Sequence, residues 1–263
     1  MRPALQCCRV CFLRWKESVR IPFLFLILIT IVGGHAADII RYEANRNFRC
    51  TAWLAPYLFS SPLVLLATTL VIVAIFAELP GERYPALQFL LVRSGRRAWF
   101  LGSILYAFST SALLSVLVCA IPLIMGKLDY SITFRSSIFT HIAHLTPLEA
   151  EIVAFLAFWA LFFWVGVLIA CLNICFRGKT GVFVASSLCF LSYLIGIFPP
   201  FPRIQYVSPI SWLSINDWNW DKSGASFPSP GYIFGFLCIT GLLFCFAAFL
   251  WLRRGELKAG DHL

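Results

Sequence analysis

"IVAFLAFWALFFWVGVLIACLNICF", residues 152–176, runs for 25 residues without an aspartate, glutamate, lysine or arginine. A helix of that length rises about 37 Å, more than the roughly 30 Å hydrocarbon core of a bilayer. A barrel strand would instead be about ten residues long and alternately polar. The stretch therefore sets the class: a helix whose solvent is lipid. Five other runs lack charge in the same way, at Ile21–Ala37, Trp53–Ala77, Ala98–Met125, Gly181–Phe198 and Gly231–Leu252. The first and fourth of these, with 17 and 18 residues, need interfacial neighbours to complete a crossing.

Composition agrees. The 263 residues are 60% hydrophobic and 13% charged, with mean hydropathy +0.84, against about 25% charged residues in a soluble domain. The sequence predicts an all-α integral membrane protein with six transmembrane helices in residues 21–252. An amphipathic interfacial helix in residues 1–20 precedes them, and a tail in residues 253–263 follows.

The net charge of +9 does not point to nucleic acid once its distribution is considered. With both termini inside, 14 Lys and Arg residues fall on the cytoplasmic side and 7 in the outer loops. The side richer in Lys and Arg is normally cytoplasmic. The expected arrangement is N-in and C-in, multi-pass, in the cell membrane, with no nucleic-acid partner. A rival reading concerns "GGHAAD" after the first run, which resembles a signal-peptidase site. Cleavage after Ala37 would leave five helices, although the charged region before the run is long for a signal peptide.

In residues 1–20 Phe12, Trp15 and Val19 fall near one helical face, with Arg9, Arg14, Lys16 and Arg20 available to anionic headgroups. Such a helix lies on the membrane rather than across it. Most of the ten cysteines lie within apolar runs or on the cytoplasmic side, which does not suit a disulfide framework. Cys7, Cys8 and Cys11 cluster without a second ligand pair and read as reduced interfacial thiols, with metal binding or lipidation as alternatives.

Several motifs invite chemistry and fall short of it. Arg177-Gly178-Lys179-Thr180 ends like a P-loop, but position 173 is Asn173 where that loop needs glycine. It reads as a charged turn that closes a tight hairpin. His141 and His144, followed by Glu149 and Glu151, have partial metal-site spacing interrupted by Pro147. Asp217 and Asp221 form a carboxylate pair in an aromatic loop and read as solvated groups. The apolar runs contain Ser109, Ser111, Ser115, Ser186, Ser187 and Ser192 but no central histidine to activate them. None of the six runs holds Asp, Glu, Lys, Arg or a central His, with His35 at the outer edge of the first, so a proton- or sodium-coupled carrier is disfavoured.

The outer segment Pro199–Pro230 carries "YVSPISWLSINDWNW", residues 206–220, whose rings suit the water–lipid boundary. On the inner side, Pro80-Gly81 ends the second run and Glu82 suits a helix N-terminus. Leu87, Leu90 and Leu91 share one face, and Ser94-Gly95 can break the helix before Arg96 and Arg97. The expected result is a short, apolar and cationic helix across the cytoplasmic mouth, either an amphipathic turn resting on the membrane surface without a partner or a docking surface.

The stretch "IFAELPGERYPALQFLLVRSGRRAWFLGSILYAF", residues 75–108, resembles the region between the second and third spans of ABC-2-type transporter permeases. The matching residues are Glu78, Gly81-Glu82-Arg83, Leu90-Leu91, Ser94-Gly95-Arg96-Arg97 and Leu101-Gly102. Ser103 stands where the family often has lysine, and Tyr84-Pro85 where it usually has Gly-Thr. The resemblance implies that the short helix is a cytoplasmic coupling helix seated in a separate ABC ATPase subunit. Glu78, Glu82, Arg83, Leu87, Leu90, Leu91, Arg93, Arg96 and Arg97 would form that contact. It further implies pairing with a second copy or a similar permease, Mg-ATP in the partner and no cofactor on this chain. Tyr206, Trp212, Trp218 and Trp220 would then form an extracytoplasmic gate.

The expected function is the non-catalytic permease subunit of an exporter moving an apolar or amphipathic substrate, such as a peptide, a lipid-linked molecule or a drug. The alternatives are a non-transporting membrane scaffold or immunity protein, and an intramembrane enzyme using Ser or His near the outer loops.

Overall fold

A computed structural model describes residues 2–45, 54–77, 95–129, 145–176, 180–198, 204–220 and 227–260. Seven α-helices lie among them: α1 Arg2–Glu17, α2 Arg20–Asn45, α3 Pro62–Ala77, α4 Arg96–Asp129, α5 Pro147–Cys175, α6 Thr180–Ile197 and α7 Pro230–Gly260. Short 3-10 turns cover Ala55–Tyr57 and much of 204–217, and there is no strand among the described residues. Five helices, α2 and α4 to α7, are long and apolar enough to cross a membrane.

The clusters at the two ends of the bundle give its direction. At one end Cys7 of α1, Trp99 and Phe100 of α4, Cys171 and Ile174 of α5, and Ala248 and Leu252 of α7 pack together. At the other, Ile40 of α2 meets Leu54, with Met125 of α4 against them. Helix α4 thus runs the full height of the bundle, and α5 and α7 return antiparallel to it.

The run Trp53–Ala77 is not one helix. Leu54–Ser61 forms a buried 3-10 turn and bend, and only Pro62–Ala77 is α-helical, with 16 residues. Pro62 has no N–H to give to a preceding turn and disfavours helical geometry at Ser61, so it opens the helix at N1 instead of continuing one. At about 24 Å by its rise, α3 is shorter than the hydrocarbon core.

Helix α5 begins five residues before the uncharged run. The Thr146 hydroxyl accepts from the Glu149 backbone N–H at 3.4 Å and the Thr146 N–H donates to Glu149 Oε2 at 2.7 Å, a reciprocal capping box with Pro147 behind it. The early start draws Glu151 into the helix, where it is 8% exposed. Neither of its carboxylate oxygens has a hydrogen-bond partner; the Ala55 backbone lies beside it but outside hydrogen-bond geometry. An acidic side chain is therefore buried in the first turns of an apolar helix, one residue before its uncharged run.

Helix α1 lies against the first half of α4, with Ala4, Cys7, Cys8 and Cys11 buried between them. Gly102 permits the approach: a Cβ there would stand 2.5 Å from Cys7 Cβ and 2.9 Å from the Ala4 carbonyl oxygen. Trp15 Nε1 donates to Tyr106 Oη at 2.7 Å, and the Phe12 ring sits 5.0 Å from that of Tyr106. The face expected to meet lipid through Phe12 and Trp15 is thus turned to protein, while Val19 is 87% exposed. All nine cysteines among the described residues are free thiols. Burial, with Cys7 beside it, pushes the Cys8 thiol up from its ordinary pKa.

Candidate functional site

The four aromatic residues assigned to an outer gate lie in a compact re-entrant element, residues 204–220, between α6 and α7. Its backbone turns repeatedly as 3-10 helix, at Ile204–Val207, Pro209–Leu213 and Ile215–Asp217. Such turns leave carbonyls that a continuous α-helix would satisfy, and the indole N–H groups take them up. Trp212 Nε1 donates to the Gln205 carbonyl and Trp218 Nε1 to the Trp212 carbonyl, both at 2.8 Å, and Trp220 Nε1 reaches the Ile215 carbonyl at 3.3 Å.

The four residues play unequal parts. Trp212 and Trp218 are core, at 0% and 4% exposure, whereas Tyr206 and Trp220 are half-buried. Trp212 meets Phe236 edge-to-face at 5.2 Å, Trp218 stacks on Trp220 at 5.7 Å, and Tyr206 faces Tyr232 at 5.2 Å. Tyr232 Oη donates to the Tyr206 carbonyl at 3.1 Å, tying the element to α7.

A polar latch that periodicity did not flag fixes the element to α6. Ser208 Oγ donates to the Ser192 carbonyl at 2.5 Å, and Ser192 Oγ accepts from the Ile210 backbone N–H at 3.0 Å. Gln205 Nε2 adds a bond to the Gly196 carbonyl at 3.3 Å. Gly196 allows close contact, since a Cβ there would fall 2.4 Å from Ser211 Cβ. The other five intramembrane serines donate to carbonyls of their own helices, which satisfies them without creating a nucleophile.

Beneath the element a cavity of about 230 Å³ lies between α5, α6 and α7, with Trp164, Leu191, Ser192, Pro209 and Phe236 among its walls. Its lining is apolar apart from hydroxyls already bonded. Asp217 is exposed and accepts from Ser214 Oγ at 2.6 Å, an ordinary turn closure. Asp221, His141 and His144 lie outside the described residues. Among the described residues no group of three or more His, Cys, Asp or Glu could hold a metal.

Of the inner-side candidates, Glu78, Glu82, Arg83, Leu87, Leu90, Leu91 and Arg93 lie outside the described residues. Gly95 adopts φ +77°, a left-handed backbone that favours glycine, and α4 starts at the next residue, Arg96. The Arg97 guanidinium sits 5.4 Å above the Phe249 ring of α7.

The long apolar helices are those of a multi-pass transmembrane protein. No protein-family model, curated protein or solved structure matches the chain.

Proposed function

We propose that this chain is the membrane-spanning permease subunit of an ATP-driven exporter of the ABC-2 type. It crosses the cell membrane six times with both termini in the cytoplasm, the short helix α3 completing its crossing with the buried turn before it. The observation that carries the reading is the Glu78–Gly102 pattern, an apolar and cationic connection that joins α3 to α4. A segment of this composition is too charged for the bilayer core, and its Leu87, Leu90 and Leu91 face gives an ATPase subunit something to grip.

Two such chains, identical or similar, pair with two ATPase subunits that hold Mg-ATP, while this chain binds no cofactor. The re-entrant element supports the reading as an extracytoplasmic gate. Its indole N–H groups bond within the element, which keeps its own shape, while the Ser192 latch and the Tyr232 hydroxyl hold it to α6 and α7 by a few hydrogen bonds that opening would have to break. The substrate is apolar or amphipathic, in keeping with the lining of the cavity below.

The test is co-isolation of the tagged chain with a P-loop ATPase from native membranes. Replacing Leu90 and Leu91 together with Asp should abolish co-isolation and transport while leaving the chain in the membrane. Retention of both would refute the proposal.

A further inference from the structure

The turn Leu54–Ser61 packs against α5 near the start of that helix. Leu54, Ala55, Leu58 and Phe59 of the turn are all buried, and the Phe59 ring meets Phe158 of α5 edge-to-face at 5.0 Å. Ala154 and Glu151 precede Phe158 by four and seven residues, which places them on the same face, one and two turns nearer the helix start. The turn also packs against Ile215–Asp217 of the re-entrant element. It therefore links the first turns of α5 to that element.

Glu151 lies buried beneath this turn, with both carboxylate oxygens unpartnered. Among the described residues, the polar groups that face it from other elements are the Ala55 backbone of the turn and the Cys119 thiol of α4, itself buried. On its own helix Glu149 is exposed, bonded to Thr146 and two residues away, so it points to a different side. No cation among the described residues answers the carboxyl. A buried carboxylate with neither a donor nor a counter-charge is strongly disfavoured, whereas the neutral acid tolerates such a site. The two oxygens of one carboxylate also fall short of the four or more ligands that a metal ion takes. Among the described residues no three of His, Cys, Asp and Glu gather to supply the rest. A proton is the ligand that fits.

From this juxtaposition we infer that Glu151 is a proton-binding site that governs how the turn 54–61 sits on α5. With the proton in place, the neutral carboxyl leaves the turn seated over it. Release breaks the carboxyl O–H bond, hands the proton to water and leaves a carboxylate that needs hydration. Water reaches the carboxylate when the turn lifts from α5, and the contact with Ile215–Asp217 loosens with it. The seated form is therefore favoured at low pH and loses that advantage as rising pH ionises the carboxyl. The inference rests on the burial of Glu151 and is independent of the ATPase partner. Failure of the Leu90 and Leu91 test would leave it untouched.

Dicyclohexylcarbodiimide, an apolar reagent that adds to protonated carboxyls, tests it on the full chain in native membranes, with peptide mass spectrometry as the readout. Glu151 should be labelled at about pH 6 and about tenfold more slowly at about pH 9, with Glu149 unlabelled at both. The second readout is the native Cys119 thiol, alkylated by iodoacetamide in wild type and in Glu151→Gln, whose side chain stays neutral. The two should react equally at about pH 6, and wild type at least about fivefold faster at about pH 9. Labelling of wild type needs no variant, so the test stays decisive if Glu151→Gln does not fold. Absence of label at about pH 6, a label that does not fall with pH, or one equally strong at Glu149 would each overturn the site. Equal Cys119 rates in wild type and a folded Glu151→Gln at both pH values would overturn the link to the turn. Protection of Glu151 by sodium chloride at fixed pH, where choline chloride gives none, would also overturn the inference, since a metal cation would then hold the site.

Discussion

Replacing Gly102 by leucine should lift α1 off α4. The first added carbon would stand 2.5 Å from Cys7 Cβ, about 1 Å inside an ordinary carbon contact of roughly 3.5 Å. The remaining carbons have nowhere to go but between the helices. Overpacking of this kind costs about 1–3 kcal/mol, which raises the undocked population about 5- to 150-fold. Cys7, Cys8 and Cys11, exposed by 0%, 8% and 3% when docked, report the change directly.

The assay is alkylation by a water-soluble maleimide in detergent at pH 7.5, followed by peptide mass spectrometry. Docking holds the Cys8 pKa above its ordinary value through burial and the neighbouring Cys7. At fixed pH a raised pKa means less thiolate, so undocking adds reactivity to access. Cys189 on α6, 3% exposed, serves as the internal control. Alkylation of the three α1 thiols should accelerate at least about fivefold, the low end of that population change, with Cys189 unchanged. Equal rates in wild type and variant would refute the packing argument. A parallel rise at Cys189 would refute it too, since the whole bundle would then be opening.

Two predictions concern the re-entrant element. Gly196→Ala puts a methyl 2.4 Å from Ser211 Cβ and should destabilise the chain by about 1–3 kcal/mol, read as a lowered melting temperature in detergent. Ser192→Ala removes the acceptor of the buried Ile210 N–H and should cost about 1–3 kcal/mol, whereas Ser187→Ala, which loses only a bond to its own helix, should leave melting nearly unchanged.

Absence of charge located five long helices because a lipid-facing helix of sufficient length cannot hide a charged side chain. The same signal misread residues 54–61, since a buried apolar turn and a buried apolar helix have the same composition. Pro56 and Pro62 were the legible marks of the difference. Residues 146–149, Thr-Pro-Leu-Glu, similarly announce a helix start at Pro147 and with it the burial of Glu151. Tyr206, Trp212, Trp218 and Trp220 could be read as boundary aromatics but not as two core and two half-buried rings. Those roles depend on which carbonyls the backbone path brings to each indole, five to seven residues away. Ser192 differs from the other intramembrane serines only in what lies opposite it, which spacing does not encode. The start of α4 just after Gly95 was legible, because a positive φ before a helix asks for glycine.

Helix α4 has 34 residues, so it is a rod about 51 Å long that carries α1 near one end and meets α2 near the other. Its stiffness is interrupted at the buried Pro122, which cannot donate to the Val118 carbonyl. From Gly95 the helix runs about seven turns before it reaches that proline. Only about two turns lie beyond Pro122, so the missing hydrogen bond leaves α4 least resistant to bending close to the end that meets α2.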